Sequence, residues 1–406
     1  MNNQRDVTCL GVIVVWLMMA TAHPAFSAEI ELLARGSLAG TDSDLSGLTD
    51  LLAPGVPHNR LSGFSALEYS GEGTKYYVLP DRGPQDGAVP YQCRVHLISI
   101  ELPSKAAVSN QHVGELHIQL LETRMLRDEE NRPLSGHSAD TRRFDPEGFR
   151  RGTDGRCYIS DEYGPTVREF NAQGKQLRTL PVPERFQILH PAASKDEEAA
   201  NNSSGRQTNG GMEGLGITPS GKKLFSIMQR PLIQDSVAIS GGRRSGIHNR
   251  LLEIDLPTGQ TKEFVYPLDD EKSGISEILA VNEHDFLLIE RDGERGANAR
   301  YKKIIYARLD DATDVSQIES LPPNTLTENV RPVRKAVLID LLDPRFGLAG
   351  ETFPEKVEGI TFGPRLPDGR ILLMVGVDND FIPEQPSSFF AFGITPELLA
   401  QFCWKR

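Results

Sequence analysis

Cysteine is scarce in this chain. Four occur in 406 residues, none in a Cys-x-x-Cys pair or at a zinc-ligand spacing, which argues against a cysteine-held metal. Long apolar runs are also missing beyond the first thirty residues, so no later segment is suited to cross a membrane. The Gly-x-Ser-x-Gly elbow of serine hydrolases is absent; Gly63-Phe64-Ser65-Ala66-Leu67 lacks the final glycine. There is no GxxxxGK[ST] loop, no GxGxxG turn and no HExxH pair. The nine histidines are scattered, and only His137, in a loop ahead of Asp145, is a candidate for chemistry. A net positive charge is lacking too. The formal charge of -12 repels nucleic acid and anionic lipid, so neither is an expected partner. An anionic substrate stays open, because a local basic site or a bound cation reverses the field.

What is present begins with an address. Arg5 precedes the apolar run Cys9 to Ala20, and small residues follow at Ala25, Ser27 and Ala28. Basic start, short apolar centre and small-residue cleavage site describe a signal peptide over residues 1–28, with an uncleaved anchor as the alternative. The mature part, 29–406, is read as one domain of a periplasmic or secreted monomer. Losing Cys9 leaves Cys93, Cys157 and Cys403, an odd number. One disulfide and one free thiol would suit an oxidising compartment, and the pairing stays open.

Five segments repeat a pattern: a Glu, a short alternating stretch, a turn rich in Gly, Asp or Asn, and a second apolar stretch ending in charge. They begin near Ser62, Asp145, Gly211, Gly274 and Lys356. Period-two alternation around a tight turn predicts paired strands, and further strands follow most units. Four-stranded units at this spacing predict an all-β protein, a β-propeller of five blades, alternatively six. The last unit lacks a fourth strand, and the N-terminal stretch from Glu29 to Leu38 can complete it and close the ring. A β-sandwich pair or an irregular all-β fold is the alternative architecture. Helix signals are few. Pro396 to Trp404 reads as a short helix begun by proline, and the polar stretch 191–211 reads as a mobile loop.

The repeated acids are Glu68, Glu147, Glu213, Glu277 and Glu358. First strands lie nearest a propeller's axis, so these carboxylates are expected to converge there. Converging carboxylates repel and need protons, cationic partners or a metal ion, and an oxygen-rich ring suits calcium. All five are therefore candidate metal ligands. Arg82, Arg230 and Arg291, at the ends of second strands, are candidate grips for a small anionic substrate. Asp161 and Asp378, at equivalent ends, are candidate proton acceptors. For each residue, a backbone bond or an ordinary loop salt bridge is the structural alternative.

These residues resemble a known family. Asp81-Arg82-Gly83, Pro146-Glu147-Gly148, Ser160-Asp161-Glu162-Tyr163-Gly164, Met212-Glu213-Gly214, Glu290-Arg291-Asp292, Val357-Glu358-Gly359 and Gly376-Val377-Asp378-Asn379 occur in an order similar to the phytase-like family of exported bacterial proteins, "esterase-like activity of phytase". The resemblance spans nearly the whole mature chain. It implies a propeller and phosphoester hydrolysis, with calcium ions binding substrate phosphate and activating water. The arginine-histidine-glycine signature of histidine acid phosphatases is absent, so phosphatase chemistry here must be metal-dependent. A non-catalytic binding propeller of the cell envelope is the competing function, since propellers host many activities.

Overall fold

Alternating apolar positions build each blade of the structure, a computed structural model that describes residues 29–103, 113–139, 143–239 and 243–402. The signal-peptide expectation, Cys9, Cys403 and Trp404 lie outside the described residues. Blade 1 contains Phe64–Tyr69, Lys75–Pro80, Arg94–Glu101 and His117–Met125. Blade 2 contains Pro146–Arg151, Cys157–Asp161, Thr166–Phe170 and Gln176–Thr179. Blade 3 contains Met212–Ile217, Lys223–Met228, His248–Asp255 and Thr261–Pro267. Blade 4 contains Gly274–Ala280, Asp285–Arg291, Lys302–Arg308 and Arg334–Asp340. Lys356–Phe362, Ile371–Asp378 and Ser387–Ile394 make three strands of blade 5. The fourth is Ile30–Leu38, which pairs antiparallel with Ser387–Ile394. The molecule is thus a five-bladed propeller closed by its N-terminal strand.

The first strand of each blade faces the axis, and the five inner strands pack side by side around it. Between blades lie five apolar cores, one per interface. Phe149 and Ile159 meet Ala66 and Leu79 between blades 2 and 1, and Phe225 meets Ile278 and Phe286 between blades 3 and 4. Burial of both faces of most strands is what makes the ring stable.

Two sequence expectations are corrected. The polar stretch 191–211 is not merely loop: Lys195–Asn201 forms a helix whose start is capped by Ser194 Oγ accepting from Glu197 N at 3.4 Å. Within the insertion, buried Glu198 holds Arg206 at 2.6 Å, and Arg206 Nε donates to the Tyr163 carbonyl of blade 2 at 2.6 Å, which anchors the insertion to the propeller. Cys93 and Cys157 are separate buried thiols in the core between blades 1 and 2, not disulfide partners. Burial pushes the Cys157 thiol up to about 11, so it is unreactive. The C-terminal helix spans Pro396–Phe402, with the proline at its start as the sequence suggests.

Candidate functional site

A pairing irregularity recurs in every inner strand and decides which side chains reach the site. Register shifts near the strand start, past Ser65 in blade 1, Glu213 in blade 3, Ser276 in blade 4 and Glu358 in blade 5, while in blade 2 Glu147 and Gly148 together oppose Ser160. A bulge re-aims its extra side chain out of the normal alternation. Glu147, Glu213 and Glu358 therefore gather at one mouth of the ring, where the second strands end. The residue after each of these bulge acids is glycine because the next blade leaves no room for a Cβ. One at Gly148 would lie 2.6 Å from Leu215 Cβ, one at Gly214 2.7 Å from Ile278 N, and one at Gly359 2.7 Å from Leu67 Cβ.

Glu68 and Glu277 sit elsewhere. Glu277 follows the bulge at Ser276, where blades 2, 3 and 5 carry glycine, and Glu68 lies three residues past Ser65. Both face Arg150, which is 1% exposed and reaches across the axis. Arg150 meets Glu277 at 3.1 Å and Glu68 at 3.5 Å, and donates to the carbonyl of Ile278 at 2.9 Å. Weaker bonds run to Leu67 and Ile360 carbonyls, so one guanidinium from blade 2 links blades 1, 4 and 5. Burial pushes Glu277 up to about 8, against the pull of Arg150 and two backbone N–H donors.

At the mouth, acid outweighs base. Asp145, Glu147 and Glu162 are all buried, and each offers an oxygen within 4.8 Å of the others. Arg82 covers two of them, meeting Asp145 at 2.8 Å and Glu162 at 3.2 Å. Glu147 is 5% exposed, and among the described residues no hydrogen bond or ion pair reaches its carboxylate. Burial, then the charges of Glu213, Asp145 and Glu162, hold it well above the usual carboxylate range. Burial also raises Asp145 to about 7, with Arg82 opposing. Glu213 takes the amide of Gln229 and is raised by burial and by Glu162. Glu358 accepts Arg291 at 2.6 Å.

The remaining sequence candidates divide in the same way. Arg291 is tied to Glu358 and to Ser276 Oγ. Arg230 is exposed and has no ion pair among the described residues; with Lys272 it borders a cavity of about 140 Å³ also lined by Glu147, Glu213 and Glu358. Asp161 is fully buried and committed. It accepts the N–H groups of Asp145, Tyr163 and Gly164 and meets Arg168 at 2.7 Å, so it holds the turn that presents Glu162. Asp378 accepts Asp380 N at 2.7 Å and meets Lys356 at 3.1 Å. A second cavity of about 300 Å³ lies on the other side of Arg82 and Asn209, bounded by Asp145, Glu162, Arg143 and the 191–211 insertion.

The description "esterase-like activity of phytase" matches residues 59–381, a span that contains every residue of this site. The chain belongs to the phytase-like family. A relative in Arthroderma benhamiae, known as an uncharacterized secreted protein, is 28% identical to the phytase-like chain over 310 residues, covering 60% of each. The chain thus spans about three fifths of that relative's length. Among solved structures, an exo-β-1,3-galactanase of Clostridium thermocellum is 12% identical with a TM-score of 0.41, over 87% of this chain and 62% of that one. Regucalcin of Agrobacterium tumefaciens, a calcium-binding protein, is 9% identical with a TM-score of 0.37, over 89% and 96%. Likeness at this level assigns nothing to the site.

Asp145 and Glu162 complete the acid cluster of this phytase-like protein, and sequence reasoning did not single them out as ligands. One signal was available for Asp145: it stands two residues before Glu147, on the same side of an extended strand. Glu162 carries no comparable signal. It reaches the cluster because Gly211 of blade 3 packs against its carbonyl, where an added Cβ would come within 1.8 Å.

Proposed function

We propose that the protein is an exported, metal-dependent hydrolase of a small anionic ester, with calcium as the ion. One observation carries the reading: Glu147 is buried, lacks any partner among the described residues and lies within a carboxylate triad. Uncompensated buried charge of this kind is costly unless a proton or cation joins it. Oxygen donors at a mouth open to solvent fit a hard divalent ion, and Asp145, Glu147 and Glu162 are the residues that would hold it. Such an ion supplies charge for a phosphoryl or acyl oxygen and acidifies bound water.

The chain's own groups supply the rest. Arg230 and Lys272, without an ion pair among the described residues, attract and orient the anion in the smaller cavity. Glu213, one oxygen held by Gln229 and its affinity for protons raised, takes a proton from the attacking water. Arg291 holds Glu358 in place. Arg150 plugs the axis below, so substrate enters from one face. The family description and the relative known as secreted support hydrolysis and export.

A non-catalytic binding propeller is the second reading, favoured by Arg82, which already sits on the acid cluster. Calcium-dependent turnover of a panel of phosphate and carboxylate esters separates the two. Wild type should turn over at least one ester only with added calcium. Glu147→Gln should lose that activity, gain about 1–3 kcal/mol of metal-free stability at pH 7 by removing the buried acid, and show no calcium-induced rise in melting temperature. Absence of both turnover and a calcium-dependent melting shift in wild type would sink the hydrolase reading.

A further inference from the structure

We propose that Arg82 is a resident cation which a divalent metal displaces, and that its freed guanidinium then helps turn the neighbouring 300 Å³ cavity into an oxyanion site. The inference rests on the metal-site reading above. The Arg82 guanidinium lies 2.8 Å from Asp145, 3.2 Å from Glu162, 3.3 Å from Asp86 and 3.9 Å from Asp81. Two of those four carboxylates belong to the triad that would hold the ion. The single positive charge of Arg82 makes no ion pair with Glu147, whose carboxylate has no hydrogen-bond or ion-pair partner among the described residues. A divalent ion serves all three, but it cannot share the space with a guanidinium, because like charges a few ångströms apart in a buried site repel strongly.

Arg82 has somewhere to go. Asp86 is half-exposed and already in contact, on a tight turn where Gln85 and Asp86 both take left-handed backbone angles, φ 58° and 57°. Asp86 also pairs with Lys195 of the insertion helix. The displaced guanidinium would thus swing along the cavity wall rather than into bulk water.

The charge on that wall changes as a result. Among the described residues, Arg82, Arg143, Lys195 and Arg206 line the cavity against Asp86, Asp145, Glu162 and Glu198, a balance of charge while Arg82 covers the triad. Once a metal covers Asp145 and Glu162, the wall carries two more cations than anions. Arg143 donates to the Ala192 carbonyl at 2.9 Å and lies over the Tyr163 ring, but its charge is only weakly paired. It shares Glu198, at 3.4 Å, with Arg206, and its buried Nε has no hydrogen-bond partner among the described residues. A small oxyanion, such as a phosphate or carboxylate group of the substrate, fits that excess. Binding is therefore ordered, with the metal first and the anion second.

Calorimetric titration of the intact protein tests this with two probes, calcium alone and inorganic phosphate. Arg82→Met, which removes no metal ligand, should bind calcium about tenfold tighter or more than wild type. Asp86→Asn, a mild change at a half-exposed left-handed position, should bind calcium at least threefold weaker, because the displaced arginine loses its acceptor. Phosphate should bind calcium-loaded wild type, fail to bind the metal-free protein, and bind calcium-loaded Arg82→Met and Arg143→Met about tenfold more weakly. Unchanged or weaker calcium binding by Arg82→Met overturns the displacement, and so does calcium binding by Asp86→Asn that matches wild type. Phosphate binding that ignores both arginines overturns the oxyanion site. Failure of wild type and all variants to bind calcium instead removes the metal reading itself. Should Arg82→Met not fold, Asp86→Asn and Arg143→Met decide the matter.

Discussion

His96 shows how one buried side chain sets the protein's response to acid. It is fully buried in blade 1, with Nδ1 against Thr123 Oγ1 at 2.9 Å, the Phe64 ring at its edge and no hydrogen-bond partner at Nε2 among the described residues. Burial depresses its proton affinity to about 3 from the ordinary 6.5. The folded protein therefore keeps His96 neutral down to about pH 3, whereas the unfolded chain takes a proton below 6.5. More protons bind the unfolded state in that window, so the stability is present above pH 6.5 and lost as pH falls toward 3. The slope from this one group is about 1.4 kcal/mol per pH unit. Urea midpoints from pH 7 to 4 should fall less steeply for His96→Gln than for wild type. Parallel curves would show that other groups control acid unfolding. The scattering of histidines in sequence offered no reason to select this one, because its burial comes from Phe64 and Thr123 on other strands of its blade.

At the scale of the strand, the Glu-Gly dipeptides carry two messages, and sequence reasoning read one of them. It saw the acid of each pair and expected it at the axis. The glycine has its own cause: close packing of the next inner strand. Gly214→Ala should cost about 1–3 kcal/mol, because the new methyl meets the backbone of Glu277 and Ile278. Gly216→Ala, where the nearest atom is 3.3 Å away, should cost much less; thermal melts of the two variants make the comparison. Equal losses would mean that strand propensity, not contact with blade 4, decides. Register explains why Glu277 left the ring of acids. Blade 4 has Ser276 at its bulge and Glu277 where blades 2, 3 and 5 carry glycine, so this side chain turns to Arg150 instead. Reading along the chain could not align those positions, because the register shift sits in the hydrogen bonding between strands.

The whole ring is held at two places, its seam and its axis. Removing residues 29–38 strips the outer strand from blade 5 and exposes Ser387–Ile394 as an edge, along with the core around Leu32 and Leu33. The truncated chain should melt at least several degrees lower and associate on size exclusion; a monomer of unchanged melting temperature would deny the closure its role. At the axis, Arg150→Met leaves Glu68 and Glu277 buried without their cation. That change should cost about 3–5 kcal/mol in urea unfolding, with part recovered in the double variant carrying Glu277→Gln. No recovery would place the cost in packing rather than charge.

Alternation, turn residues and a fivefold repeat were enough to determine the strands, the propeller and the closing role of Glu29 to Leu38, since these follow from local periodicity and from counting edges. The presence of acids near the axis was equally legible in the repeated glutamates. Which acids share a site was decided only by tertiary structure. Bulge register sent Glu147, Glu213 and Glu358 to one mouth, while Arg150 drew Glu68 and Glu277 away from it. Asp145 and Glu162 joined the cluster through contacts between blades. A sequence lists charges in order, but electrostatic energy depends on distance and burial, and those exist only once the ring has closed.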